Sequence, residues 1–158
     1  MLTEEWLLEA WKHQAAYITR CLEARVPREL AGQYTRPNQF QLAVGSWPGS
    51  CPQPLAFCHP ADDCADGKTH TIFVSPLLAG DHRRTTTLFA TLLHEQLHAW
   101  TGVQNGHNKK FQRIAYACGL RAPFNVVAAD QINPALRREI HRLAKLLGQC
   151  PWKRMRRV

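Results

Sequence analysis

His94-Glu95-Gln96-Leu97-His98 is an HExxH pentapeptide, a spacing that suits metal-assisted hydrolysis. Residues four apart on an α-helix project from one face, so His94 and His98 can present two imidazole nitrogens to a single ion. Glu95 is turned roughly 100° around the axis, which frees its carboxylate to act as a base instead of a ligand. A zinc ion lowers the pKa of water from about 15.7 towards 7, and a carboxylate beside it can take the proton as the oxygen attacks a carbonyl. The pentapeptide fixes only three positions, and a solvated histidine pair on an exposed helix satisfies it equally.

The surrounding residues decide whether a packed helix carries the motif. Thr85-Thr86-Thr87 supplies N-cap candidates, and Phe89, Leu93, Leu97 and Trp100 follow at four-, four- and three-residue steps, the stripe of a buried helix face. That helix is expected to stop near Gly102. Gly106-His107 then opens a second helical segment, in which Phe111, Ile114, Ala115 and Cys118 recur before a capping Gly119. The turn from Gly102 to Gly106 can fold the chain back, making His107 a candidate third ligand. The alternatives are a helix-capping or solvated role for His107, and a downstream glutamate ligand at Glu139. A metzincin spacing, HExxHxxGxxH, is excluded because Thr101 and Gln104 occupy the glycine and histidine positions.

The motif with His107, the run Gly106-His107-Asn108-Lys109-Lys110-Phe111 and then Ala117-Cys118-Gly119-Leu120 resembles the SprT-like metallopeptidases, particularly their short phage and prophage members. The upstream run Thr69 to Leu78 is similar to the strand and turn before the motif helix in that family, and the resemblance extends from Gln41 to Leu147. It implies one zinc ion held by His94, His98 and His107, Glu95 as the catalytic base, and kinship with Spartan-type proteases that degrade proteins crosslinked to DNA. One departure stands out. Many family members end in a zinc ribbon of paired cysteines, but this chain contains no CxxC, and only Cys150 follows Cys118.

The elements that must support the motif follow from periodicity. Thr3 to about Ala24 reads as a first helix, with Leu7, Trp11, Ile18, Cys21 and Leu22 on one side and Pro27 beyond its end. Phe40 to Trp47 alternates, and His70 to Val74 is β-rich, so both read as strands of a small sheet. Trp47 to Pro60 reads as a proline-rich loop leading to a turn at Asp66-Gly67. Pro134 to Leu147 reads as a final amphipathic helix, with Asn133 as its cap and Leu136, Ile140, Leu143 and Leu147 as its stripe. The expected fold is α+β: a single zincin-like domain over residues 1–148, with a small sheet, an N-terminal helix, the motif helix and C-terminal helices, followed by a basic tail at 149–158.

Composition bounds what remains. At 158 residues the chain can bury a core without staples. Its six cysteines are irregularly spaced, no signal peptide or long apolar run is apparent, and a reducing cytoplasm without membrane contact is expected. Cys51, Cys58, His59 and Cys64 have the residue types of a second metal site, but their gaps are wider than those of zinc knuckles. Of the net charge of +8, residues 137–158 contribute eight cations against the single Glu139. Trp152, Lys153, Arg154, Arg156 and Arg157 in the tail, with Lys109, Lys110 and Arg113 after the third histidine, are candidate non-specific contacts to DNA phosphates and bases; the competing reading is a solvated, solubilising surface.

The residues thus point to a zinc metallopeptidase acting on a protein substrate, expected to be DNA-bound. A DNA-associated zinc module with little protease activity is the alternative, and an enzyme for non-peptide amides is a third. Tyr116, His70 and His82 are candidates for stabilising an oxyanion.

Overall fold

The computed structural model describes residues 3–45, 56–59, 68–75, 78, 85–124 and 131–151. Helix α1 (Thr3–Arg25) begins with Glu4 and Glu5 and ends with Arg25, charges that complement the helix dipole. It buries Trp6, Leu7, Trp11, Ile18 and Leu22 along one side. Fully burying an indole contributes roughly 4–6 kcal/mol of transfer free energy before entropy is counted, so Trp6 and Trp11 anchor the helix. A short helix, α2 (Arg28–Ala31), follows Pro27, which fixes the backbone where α1 has ended.

Three strands form one sheet in the order β1 (Phe40–Val44), β3 (His70–Val74), β2 (Ala56–His59). β1 runs parallel to β3 with Phe40 opposite His70, and β2 runs antiparallel with Cys58 opposite Ile72. Ile72 and Val74 bury into the core. The strand at Ala56–His59 corrects the expectation of a continuous loop from Trp47 to Pro60; the expected turn at Asp66-Gly67 lies outside the described residues. The expected extension of β1 to Trp47 is also shortened, since the strand stops at Val44.

Helix α3 (Thr85–Thr101) carries the pentapeptide and buries 13 of its 17 residues, so it is enclosed rather than laid on a surface. Two buried amides on opposite partners fix it against α1: Gln14 Nε2 donates to Phe89 O at 2.7 Å, and Gln96 Nε2 donates to Trp11 O at 3.2 Å. Helix α4 (Lys109–Cys118) and helix α5 (Pro134–Leu147) complete the packing around α1 and α3. Side chains of α1 also satisfy the last carbonyls of α4, where intrahelical donors run out: Tyr17 Oη donates to Cys118 O at 2.9 Å, and Arg25 donates to Ala117 O at 2.6 Å.

The architecture is α+β, as the residue pattern indicates. Cys21 and Cys118 are buried free thiols, as expected for helix-face cysteines. Among the described residues no helix is long and apolar enough to cross a membrane.

Candidate metal centre

Three histidines from two separate segments converge beside α3. The Nε2 atoms of His94 and His98 lie 3.2 Å apart, those of His98 and His107 3.2 Å, and those of His107 and His94 3.1 Å. An imidazole Nε2 carries either a hydrogen or a lone pair, so these three contacts cannot all be N–H···N bonds. A single cation facing three lone pairs satisfies all of them. Three imidazoles bound tetrahedrally at metal–nitrogen distances of 2.0–2.1 Å would have nitrogens about 3.3 Å apart, close to the spacing observed. His94, His98 and His107 are thus a group able to hold a metal ion.

Local sequence explains how His107 arrives there. Gly102 and Gly106 adopt φ values of 91° and 51°, a region that strains L-residues, and they bracket a 3₁₀ turn at Val103–Asn105. Asn105 Nδ2 donates to Thr101 O at 2.6 Å, closing the end of α3 as the chain reverses. Asn108 then caps α4, its Oδ1 accepting from the backbone N–H groups of Lys110 and Phe111 at 3.0 and 3.2 Å. The second helix therefore begins at Lys109 rather than at Gly106-His107, and His107 stands free of the capping role. Its carbonyl is held by Gln112 Nε2 at 2.8 Å.

Phe111 forms a platform beneath all three rings. It is fully buried, with centroids 5.1, 4.5 and 4.9 Å from His94, His98 and His107. The His98 ring stacks on it at an interplanar angle of 27°. Phe124 continues the aromatic wall, 5.7 Å from Phe111 and 6.3 Å from His107. The helical stripe identifies Phe111 as a core residue, but its support of the ligands is visible only in three dimensions.

Burial keeps the cluster neutral. It pushes the pKa of His94 down to about 3 and that of His98 to about 4, helped by the neighbouring histidines, and it lowers that of His107 as well. Neutral imidazoles are the metal-binding form. Burial has the opposite effect on Glu95, raising its carboxyl to about 7 while a hydrogen bond from the Cys58 backbone N–H works against the rise. Strand β2 thereby touches the motif residue nominated as base, a contact with no signature in the sequence. Among the described residues the Nδ1 atoms of His94 and His98 are buried without a hydrogen-bond partner, unlike the usual arrangement in which a ligating histidine donates its second N–H.

The other candidate residues fall in different places. Glu139, the rival ligand, sits on α5 paired with Arg142 at 2.7 Å and Arg20 at 3.3 Å, and it does not join the histidines. Lys110 engages Tyr34 through its ammonium, 5.9 Å from the ring centroid, and through its backbone carbonyl, which accepts from the phenol at 2.7 Å, while the positive charge of Arg113 also acts on that phenol. Lys109 is exposed. Tyr116 is 52% exposed with its ring against Phe124, whereas His70 belongs to the wall of a different cavity. Cys58 is buried in β2; Cys51, Cys64, His82 and the tail residues Trp152, Lys153, Arg154, Arg156 and Arg157 lie outside the described residues.

Comparisons with protein-family models, curated proteins and solved structures find no match to this chain.

Proposed function

We propose that the protein is a zinc-dependent endopeptidase of the SprT-like type, acting on DNA-associated proteins. The observation that carries this reading is the convergence of three Nε2 atoms at 3.1–3.2 Å on the helix that also bears Glu95. Three neutral nitrogen ligands leave a tetrahedral ion one position for chemistry, the pattern of catalytic rather than structural zinc. When bound, zinc supplies positive charge that acidifies water and polarises a carbonyl. Glu95 takes the proton from the attacking water and returns it to the leaving nitrogen. The Cys58 N–H orients the carboxyl for that exchange. The basic residues beyond the third histidine and in the tail support a DNA-associated substrate, since cations attract phosphate backbones without sequence preference.

The test is incubation with a DNA-binding protein, with and without single-stranded DNA and chelator. Wild type should cleave and lose activity with chelator, while Glu95→Gln should retain zinc and lose about 10²–10⁴-fold in rate, the usual contribution of a positioned base. Undiminished cleavage by Glu95→Gln would remove Glu95 from this role. Equal rates without DNA would sever the link between basic charge and catalysis.

The Nδ1 atoms of His94 and His98, which have no partner among the described residues, favour a second reading, a DNA-associated zinc module with little turnover, because outer hydrogen bonds normally tune ligating histidines. Bound zinc and salt-sensitive DNA binding with no proteolysis would select it.

A further inference from the structure

Helix α1 packs against the C-terminal end of α4. Tyr17, Cys21 and Arg25 are spaced four apart, so they stack along one face of α1. Tyr17 Oη donates to Cys118 O at 2.9 Å and Arg25 Nη1 donates to Ala117 O at 2.6 Å, so the outer two of these residues grip the last residues of α4. Cys21 lies between them, on the face turned towards Cys118. The two thiols are close enough for each to shift the protonation of the other.

Two buried thiols are ordinarily small core hydrophobes. This pair differs because one member has a charged neighbour and borders a cavity. Arg25 Nη1 lies 3.6 Å from Cys21 Sγ, which places a cation where it favours the thiolate. The Cys118 thiol, then Tyr17 and the charges of Arg25 and Arg20, hold the Cys21 thiol below its ordinary pKa although burial opposes them. Burial pushes Cys118 the other way and keeps it a neutral thiol. Cys21 also borders an open hollow of about 390 Å³ between α1 and α5, which Cys118 does not line. With Cys21 3% exposed and Cys118 fully buried, the pair has an outer member that only a small reagent can meet and an inner one behind it.

We propose that Cys21 is a site of oxidation by hydroperoxides and that Cys118 resolves it to an intrachain disulfide. The Cys21 thiolate attacks one oxygen of the hydroperoxide: the O–O bond breaks and an S–O bond forms, giving a sulfenic acid. The departing alkoxide takes up the proton that Cys21 released and leaves as an alcohol, or as water where the oxidant is hydrogen peroxide. The Cys118 sulfur then attacks the sulfenic sulfur, so the S–S bond forms as the S–O bond breaks, and hydroxide leaves with the Cys118 proton as water. The two thiols lose two electrons and one hydroperoxide gains them. The bond ties α1 to the end of α4, the helix that follows His107 and carries Phe111. This chemistry requires neither the metal ion nor peptidase activity.

Peptide mapping of the full chain tests this directly. Folded protein is treated with stoichiometric hydrogen peroxide, the remaining thiols are alkylated in denaturant, and the unreduced digest is read by mass spectrometry. A peptide linking Cys21 to Cys118 should appear, and its yield should fall at least about tenfold when urea removes the fixed geometry before oxidation. In Cys118→Ala the sulfenic acid should persist on Cys21 and be trapped there by dimedone, whereas in Cys21→Ala the Cys118 thiol should stay reduced and be alkylated. The proposal is overturned if folded wild type gives no Cys21–Cys118 peptide, if the urea-unfolded chain gives as much, or if Cys118 in Cys21→Ala oxidises as fast as in wild type. The wild-type comparison involves no substitution, so it decides the matter even where a variant fails to fold.

Discussion

Helices α3 and α5 are similar in length, 17 and 14 residues, yet α3 buries 13 side chains and α5 only Leu136, Ile140 and Leu143. Helix α5 is a one-faced amphipath: its stripe meets the core and its arginines meet water. Helix α3 is enclosed by α1, the sheet, α4 and α5. The difference shows what a metal-binding arrangement demands. Imidazole nitrogens must meet within a few tenths of an ångström, and a backbone packed on every side holds them there without ongoing loss of rotamer entropy. A surface helix tolerates change for the reason that makes it a poor platform for converging ligands.

Ligand replacement should separate the site built beside α3 from α5 most sharply. His107→Ala removes one of three protein nitrogens, whereas Glu139→Ala removes the carboxylate on α5 that sequence alone allows as a rival. Site binding energies of about 10–16 kcal/mol spread over four ligands give about 2.5–4 kcal/mol each, a loss of about two to three orders of magnitude in zinc affinity for His107→Ala. Competition titration with a chromophoric chelator reads both variants. A comparable loss in Glu139→Ala would move the third ligand to α5 and undo the contrast.

Phe111→Ala should show how far the site depends on its packing. Truncating a fully buried phenylalanine costs about 3–5 kcal/mol, measured as a fall in the urea midpoint, and here it also removes the surface against which three imidazoles rest. Zinc affinity should therefore fall although no ligand atom is touched. Unaltered affinity in a destabilised variant would show that α3 and the glycine turn suffice to place the histidines.

Acid should act on the two regions in different windows. The folded pKa values of His94, about 3, and His98, about 4, lie below the unfolded value of about 6.5. The unfolded chain thus binds more protons, so stability of the metal-free protein is fully present above pH 6.5 and is lost as pH falls towards the folded values. For Glu139, burial tends to raise the pKa, but the hydrogen-bonded Arg142 and the charge of Arg20 outweigh it and lower the carboxyl below 4.5. Its stabilising effect has the same sign but begins to fade only below about pH 4.5. Glu95, raised by burial from 4.5 to about 7, gains stability as pH falls through the same window and offsets part of the histidines' loss. Thermal melts of metal-free Glu95→Gln protein should therefore decline between pH 6.5 and 5, and adding His94→Gln should flatten that decline. A flat profile above pH 5 would mean that the histidines are not buried as neutral groups.

What was legible in sequence follows the range of the interactions involved. The start of α5 is written in Asn133-Pro134, and the reversal after α3 in Gly102 and Gly106, because capping and positive φ are local chemistry. His107 could be nominated for the same reason. The strand at Ala56–His59 could not: four residues are too few to show a period, Pro52, Pro54 and Pro60 surround them, and pairing with β3 is a tertiary contact. The same holds for the Cys58 N–H on Glu95, since a backbone donor looks alike in every residue but proline. Phe111 announces its burial by its place in a stripe, but which rings it supports depends on how the chain returns.

The smallest expected effect is on the outer face of α5. Arg142 holds Glu139 through two hydrogen bonds of 2.9 and 2.7 Å, but its side chain is 49% exposed, and Arg20 remains to pair the carboxylate. Exposed pairs contribute about 0–1 kcal/mol, so Arg142→Ala should lower stability by no more than that, with the difference shrinking further in high salt. Zinc affinity should not change. Glu139 itself is only 11% exposed at its side chain, which makes this the sensitive place to probe the contrast between helices. A loss above about 2 kcal/mol would mean that the carboxylate is left effectively unpaired in a buried setting. Helix α5 would then owe its position to a charge network as well as to its apolar stripe, and the division between an enclosed helix that carries chemistry and a surface helix that tolerates change would have to be redrawn.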